Sequence, residues 1–135
     1  MNDPAYDRGM RIRREVLGDA HVDRAADRAT EFRAPLQDLI TRYAFGEIWA
    51  REGLDRRTRS AITLAVLAAL GRDRELALHL RAALRNGLTA TEIGEVLLHI
   101  AIYAGVPAAN SAFAIAERVL AEDDEVWTGT EPAAP

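Results

Sequence analysis

The stretch LTATEIGEVLLHIAIY, residues 88–103, decides the fold class. Thr89 and Glu92 are spaced as a capping box, in which the hydroxyl serves a free amide and the carboxylate reaches back. Leu88 and Ile93 stand where a hydrophobic staple closes the same turn. Ile93, Val96, Leu97, Ile100 and Tyr103 then recur at helical spacing. Gly105-Val106-Pro107 ends this helix and starts another, which carries Ala112, Phe113, Ala116, Val119 and Leu120.

Working back toward the N-terminus, the same punctuation repeats. Asp73 is placed to cap a helix that ends at Asn86-Gly87, with Leu76, His79 or Leu80, Ala83 and Leu84 on one face. Asp55 is placed to cap a helix from Arg56 to Leu70 that is basic at its start and almost wholly apolar afterwards. A helix apolar all round belongs at the centre of a fold or between subunits. Tyr43 to Trp49 reads as a corner interrupted by Gly46. Pro35 suits the first turn of a helix carrying Leu36, Leu39, Ile40, Tyr43 and Ala44. Asp19 to Thr30 is polar and alanine-rich, and the spacing of Val22, Ala25, Ala26 and Ala29 predicts a partly buried helix. Asp3-Pro4 opens the first helix, Gly18 stops it, and Met10, Ile12, Val16 and Leu17 form its stripe. The reading is all-α, with six or seven helices in one domain over 1–121. An acidic tail, 122–135, ends in Glu-Pro-Ala-Ala-Pro and reads as mobile. Trp127 is the odd residue in it, able to dock on a neighbouring surface.

Composition agrees with helix. Ala and Leu are abundant while aromatics make up only 6%, the balance that favours helix over sheet. The net charge of -4 argues against a nucleic-acid surface. There are no cysteines, which removes disulfides, thiolate nucleophiles, iron–sulfur clusters and cysteine zinc sites. No signal peptide opens the chain, and the longest apolar run, Ala61 to Leu70, is too short to span a bilayer. A cytoplasmic protein without membrane contact is expected. Lysine is absent, so every fixed cation is a guanidinium. That suits bidentate carboxylate recognition; compositional bias is the other reading.

Two Glu-x-x-x-His pairs stand out. Glu75 and His79 lie one turn apart on one predicted helix, and a carboxylate beside an imidazole suits acid–base work. A surface ion pair or a satisfied core histidine has the same spacing. Glu95 and His99 repeat it one helix later, where Glu92 already has its capping role. Di-iron bundles use Glu-x-x-His with more inward carboxylates, so no metal is expected. Glu47 and Trp49, beside Gly46, read either as a pocket acid and wall or as an aromatic plug in a corner. Arg56, Arg57 and Arg59 oppose the dipole at their helix start, which points to anion binding or subunit contact. No phosphate loop, Ser-His-Asp triad or dinucleotide turn is present.

These segments together resemble the carboxymuconolactone decarboxylase family, within the alkylhydroperoxidase D-like superfamily. The likeness is carried by Arg57 to Ala65, Glu75 to Gly87, Thr91 to Leu98 and Ala101 to Ala109, with Arg13 to Val22 and Tyr43 to Trp49 in the front half. It covers roughly residues 6–121. Phe45 stands where the family often has tryptophan, and His99 where glutamine is common. Superfamily members with thiol peroxidase chemistry carry Cys-x-x-Cys-x-x-x-His; His79 matches that histidine, but Arg72 and Glu75 replace the cysteines, so that chemistry is excluded. The resemblance implies a helical bundle whose subunits assemble as trimers or hexamers. It implies cofactor-free decarboxylation of 4-carboxymuconolactone, a small dicarboxylate lactone, to the enol-lactone of 3-oxoadipate in protocatechuate catabolism. On that reading Arg59, with Arg57 or Arg51 as substitutes, anchors carboxylate. His79 protonates or stabilises the dienolate, Glu75 or Glu47 sets its charge, and Trp49 lines the pocket. A family member acting on another small lactone or aromatic acid, and a purely structural helical oligomer, are the alternatives.

Overall fold

A computed structural model of the chain describes residues 3–128, with side chains as far as residue 122. Among them there are seven α-helices, one π-helical segment and no strand. The helices are α1 (Pro4–Leu17), α2 (Asp19–Asp27), α3 (Ala34–Leu39), α4 (Arg56–Leu70), α5 (Asp73–Arg85), α6 (Ala90–Tyr103) and α7 (Val106–Thr128). The π-helical segment Ile40–Ile48 follows α3 directly. The chain divides into two compact units, Met1–Arg59 and Ser60–Pro135. α7 is continuous to Thr128, past residue 121 where the sequence reading ends the domain. The Trp127 side chain and residues 129–135, the rest of the expected tail, lie outside the described part.

The second unit is built as its pattern predicts. Leu64 and Ala68 of α4, Leu76, Leu80 and Ala83 of α5, Ile93, Leu97 and Ile100 of α6, and Ala112, Ala116 and Val119 of α7 form one buried cluster. The α6 capping box is present, with the Glu92 amide donating to Thr89 Oγ1 at 3.1 Å and the Thr89 amide to Glu92 Oε1 at 2.9 Å. Leu88 and Ile93 are both buried in the cluster, where a staple places them. Two expectations are corrected. Asp73 is not the cap of α5: Arg72 holds that position without a side-chain bond, and Asp73 and Glu75 lie in the first turn. The Arg72 amide returns to Leu67 O at 2.9 Å. This Schellman-type closure of α4 leaves no residue for a separate acidic cap. Tyr103 is 80% exposed, because the stripe leaves the core once α6 turns into α7.

The first unit is held differently. α1 packs on the π-helical segment, and only Ile12, Val16 and Phe45 form its buried apolar cluster. Gly9 allows the contact, since a Cβ there would overlap the Thr41 carbonyl. One at Gly46 would come within 2.7 Å of Ala5 O. Arg13 is buried in the same interface, with Nη1 donating to Thr41 Oγ1 at 3.1 Å and Nη2 to Gln37 Oε1 at 2.9 Å. Burial lowers its pKa. Of the expected apolar stripe, Ile40 and Ala44 pack against the Phe45 cluster, while Leu36, Leu39 and Tyr43 are exposed, at 46%, 58% and 57%. The expected corner at Gly46 is continuous π-helix, whose wider turn shifts Tyr43 off the face that α-periodicity assigns it, while Leu36 and Leu39 precede it in α3. α2 ends at Asp27, short of Thr30.

Candidate active site

The π-helical segment presents the first group of candidates. The Trp49 amide donates to Ala44 O, five residues back, at 2.9 Å. That register stacks the half-buried Trp49 ring on buried Phe45, with centroids 5.9 Å apart and planes 20° off parallel. Arg8 braces the segment from α1: its Nε donates to Gly46 O at 2.8 Å and its Nη2 pairs with Glu47 Oε1 at 3.3 Å. Glu47 is therefore a surface ion-pair partner, its side chain 56% exposed.

Arg51, Arg57 and Arg59 follow within the same unit. Asp55 caps α4 by accepting the Thr58 amide at 2.7 Å. Thr58, through its hydroxyl first and its amide second, holds the Asp55 carboxyl below its ordinary pKa, and Arg57 adds to this. A carboxylate at this cap offsets the cost of starting a helix with arginines. Arg59 is half-buried and its Nη2 donates to Arg51 O at 3.3 Å. Arg51 and Arg57 are exposed. Arg59 thus reaches the backbone of Arg51, two residues after Trp49, and the stretch from Trp49 to Arg59 carries one indole and several guanidinium groups. Such a stretch suits a planar anion with an apolar flank.

α5 carries the second group, in the second unit. Glu75 is exposed in its first turn and His79 is half-buried one turn later. Leu76 and Leu80, each the next residue in sequence, are fully buried. The pair therefore stands at the rim of the core, and the open choice between His79 and Leu80 as core residue falls to Leu80. Glu95 and His99 are both exposed on α6, where His99 lies against the Tyr103 ring at 4.9 Å. A surface role fits them.

Two features escaped the sequence reading. One is a hollow of about 270 Å³ in the second unit, lined by residues of α4, α5 and α7 that include Leu70, Asp73 and Ser111. It contains none of the candidates. Its one ionisable group, Asp73, has the wrong charge for a dianion. The other is Arg13, whose Nε is buried with no hydrogen-bond partner. His21, half-buried on α2, has a lowered pKa, through burial first and then Arg13, Arg24 and Arg28. Periodicity marks an arginine as solvent-facing, so this buried guanidinium had no signal except its one-turn spacing from Gly9. Among the described residues, no three His, Asp or Glu side chains gather as a metal-holding group.

Comparison with known proteins bears on this arrangement. The model of the carboxymuconolactone decarboxylase family matches residues 34–118. The chain is 49% identical over 120 residues to a 4-carboxymuconolactone decarboxylase of Acinetobacter baylyi, covering 88% of this chain and 90% of that one. It is 41% identical over 115 residues to a nitrosuccinic acid decarboxylase of Metarhizium robertsii, covering 85% and 80%. A 42-residue stretch is 52% identical to a 4-carboxymuconolactone decarboxylase of Pseudomonas putida, covering 31% and 88%. The match spans both groups of candidate residues, and the chain belongs to the carboxymuconolactone decarboxylase family.

Proposed function

We propose that the chain is a carboxy-lyase that converts 4-carboxymuconolactone to the enol-lactone of 3-oxoadipate, in the protocatechuate branch of aromatic catabolism. Similarity along almost the whole length to a protein of that activity carries the reading. The chemistry supports it. The substrate bears its carboxylate on the γ-carbon of an unsaturated lactone. When carbon dioxide leaves, the electron pair passes through the ring double bond to the lactone carbonyl. The substrate is its own electron sink, so the reaction needs no cofactor. The relative named for nitrosuccinic acid acts on a molecule with the same property, since a nitro group accepts the pair.

Three tasks remain for the protein: to hold a dianion, to stabilise the developing dienolate, and to protonate the α-carbon. Arg59, with Arg57 or Arg51, anchors carboxylate. Trp49 supplies an apolar flank that favours the charge-dispersed transition state. His79 transfers the proton or stabilises the dienolate, with Glu75, one turn before it on α5, setting its charge.

The test is loss of the carboxylactone's ultraviolet absorbance, with release of carbon dioxide, by purified protein and no additive. His79→Ala should cut turnover about a hundredfold or more; near-normal turnover in the folded variant removes His79 from the mechanism. Intact lactone after incubation with wild-type protein overturns the reading.

Assembly into a trimer or hexamer is part of the same proposal. Ile62, Val66 and Leu70 on α4 are 48%, 49% and 63% exposed, on a helix whose sequence is apolar all round. Ile102 and Val106 add exposures of 78% and 67%. Surface of this kind fits contact with further copies. No described helix is long and apolar enough to cross a membrane, and a cytoplasmic location accords with a catabolic enzyme of this kind.

A further inference from the structure

Among the described residues, Arg8, Arg14, Arg42, Arg56 and Arg81 each pair with a carboxylate, and all five reach water. Arg13 is the reverse. It is 5% exposed, and its side chain meets neutral oxygens only. Nη1 donates to Thr41 Oγ1 and Nη2 to Gln37 Oε1, while Nε is buried with no acceptor. A guanidinium holds its proton at neutral pH, so it cannot escape burial by becoming neutral. Buried charges in folded proteins are paired, because an unpaired one gives up its hydration and gains nothing in return.

The surroundings add no negative charge. His21 of α2 is half-buried and lies in the field of Arg13, Arg24 and Arg28. A poorly hydrated place ringed by charge of one sign draws in the opposite sign. The cover over it is thin on the α2 side. α2 packs on α1 with Val22 as its one buried residue, and with Asp19 and Asp23 paired to Arg14 at the surface. Such surface pairs hold a helix weakly.

We infer that Arg13 is the base of an anion site within the first unit, which takes the carboxylate of a small organic acid admitted on the α2 side. One carboxylate oxygen accepts from Nε, the donor that the fold leaves without a partner. The charge selects the class. One buried guanidinium beside a neutral imidazole balances one negative charge, which is a carboxylate and not a phosphate dianion. A planar two-oxygen group also fits the guanidinium plane.

The test titrates sodium acetate into the protein and follows the Arg13 Nε–H signal by nitrogen-edited proton NMR, with sodium chloride at equal ionic strength as the control. The signal is assigned through its nearness to Thr41. A saturable shift with acetate and none with chloride is expected. No shift, or the same shift with both salts, overturns the site. A shift that follows protein concentration instead of acetate assigns the counter-charge to a second copy and overturns it too. Arg13→Gln should weaken acetate binding about tenfold or more, read on the His21 ring signals, because a charge-assisted hydrogen bond is lost. Unchanged affinity in the folded variant overturns the inference; if the variant does not fold, the wild-type titration decides. The lactone diacid with its ring double bond reduced, which cannot decarboxylate, distinguishes the sources. If it moves the same signal in competition with acetate, the acid is the substrate; if acetate alone moves it, the acid is a separate effector. Lactone turnover takes no part in this readout, so its absence would overturn the decarboxylase reading and leave the site standing.

Discussion

The two units of this chain are stabilised by different means. The second buries aliphatic side chains from four helices in one cluster, with Leu64, Leu80 and Leu97 fully out of water. The first has only Ile12, Val16 and Phe45 as its buried cluster. It relies instead on close backbone approach at Gly9 and Gly46 and on the buried guanidinium of Arg13. The apolar core spreads its stability over many weak contacts and tolerates small adjustments. The glycine contact concentrates it at a few atoms that cannot yield, because both partners are backbone. The comparison assigns each unit a different weak point.

The largest expected effect is in the aliphatic core. Leu80→Ala leaves a cavity in the second unit and should cost about 3 kcal/mol, read by denaturant unfolding. Amide exchange should then speed up in α5–α7 first. If α1 and the π-helical segment open equally, the two units are not energetically distinct. Gly9→Ala comes next. It adds one methyl group but drives it into the Thr41 carbonyl, and should cost about 2 kcal/mol. Its exchange signature should lie in α1 and the π-helical segment, with loss of the Trp49–Phe45 stacking seen as a change in near-ultraviolet circular dichroism. An unchanged spectrum would show that α1 does not set the register of the segment.

The smallest effect concerns charge. The His21 pKa in the folded state lies below its ordinary value of 6.5, because of burial and then Arg13, Arg24 and Arg28. The unfolded chain therefore takes up a proton first as pH falls. His21's contribution is fully present above about pH 6.5 and is lost as pH drops toward the folded value. His21→Gln should flatten the pH dependence of stability in that window and leave it unchanged above pH 7. An identical slope in the variant would remove His21 as a source of acid sensitivity.

Much of the second unit was legible because its signals are local. The Thr89–Glu92 box, the Leu88–Ile93 staple and the α6 stripe each rest on residues within about one turn of each other. Asp73 misled because its role depends on how α4 closes, through the bond from Arg72 to Leu67. In the first unit, α-periodicity from Leu36 to Tyr43 pointed to a buried stripe. The π-helix begins at Ile40, and its wider turn carries Tyr43 outward while Ile40 and Ala44 pack against the Phe45 cluster. Among the site candidates, Arg59 reaches the Arg51 backbone carbonyl and His79 stands half-buried beside Leu80. Glu47 is taken by Arg8, a partner 39 residues away in sequence that no spacing rule connects to it.

The all-helical class, most helix boundaries and the family follow from local pattern, since caps, stops and apolar periods act over a few residues. The π-helical register, the burial of Arg13 and the close contact at Gly9 come from packing. Each of these depends on what a distant segment brings against the backbone, and a one-dimensional pattern carries no record of that distance.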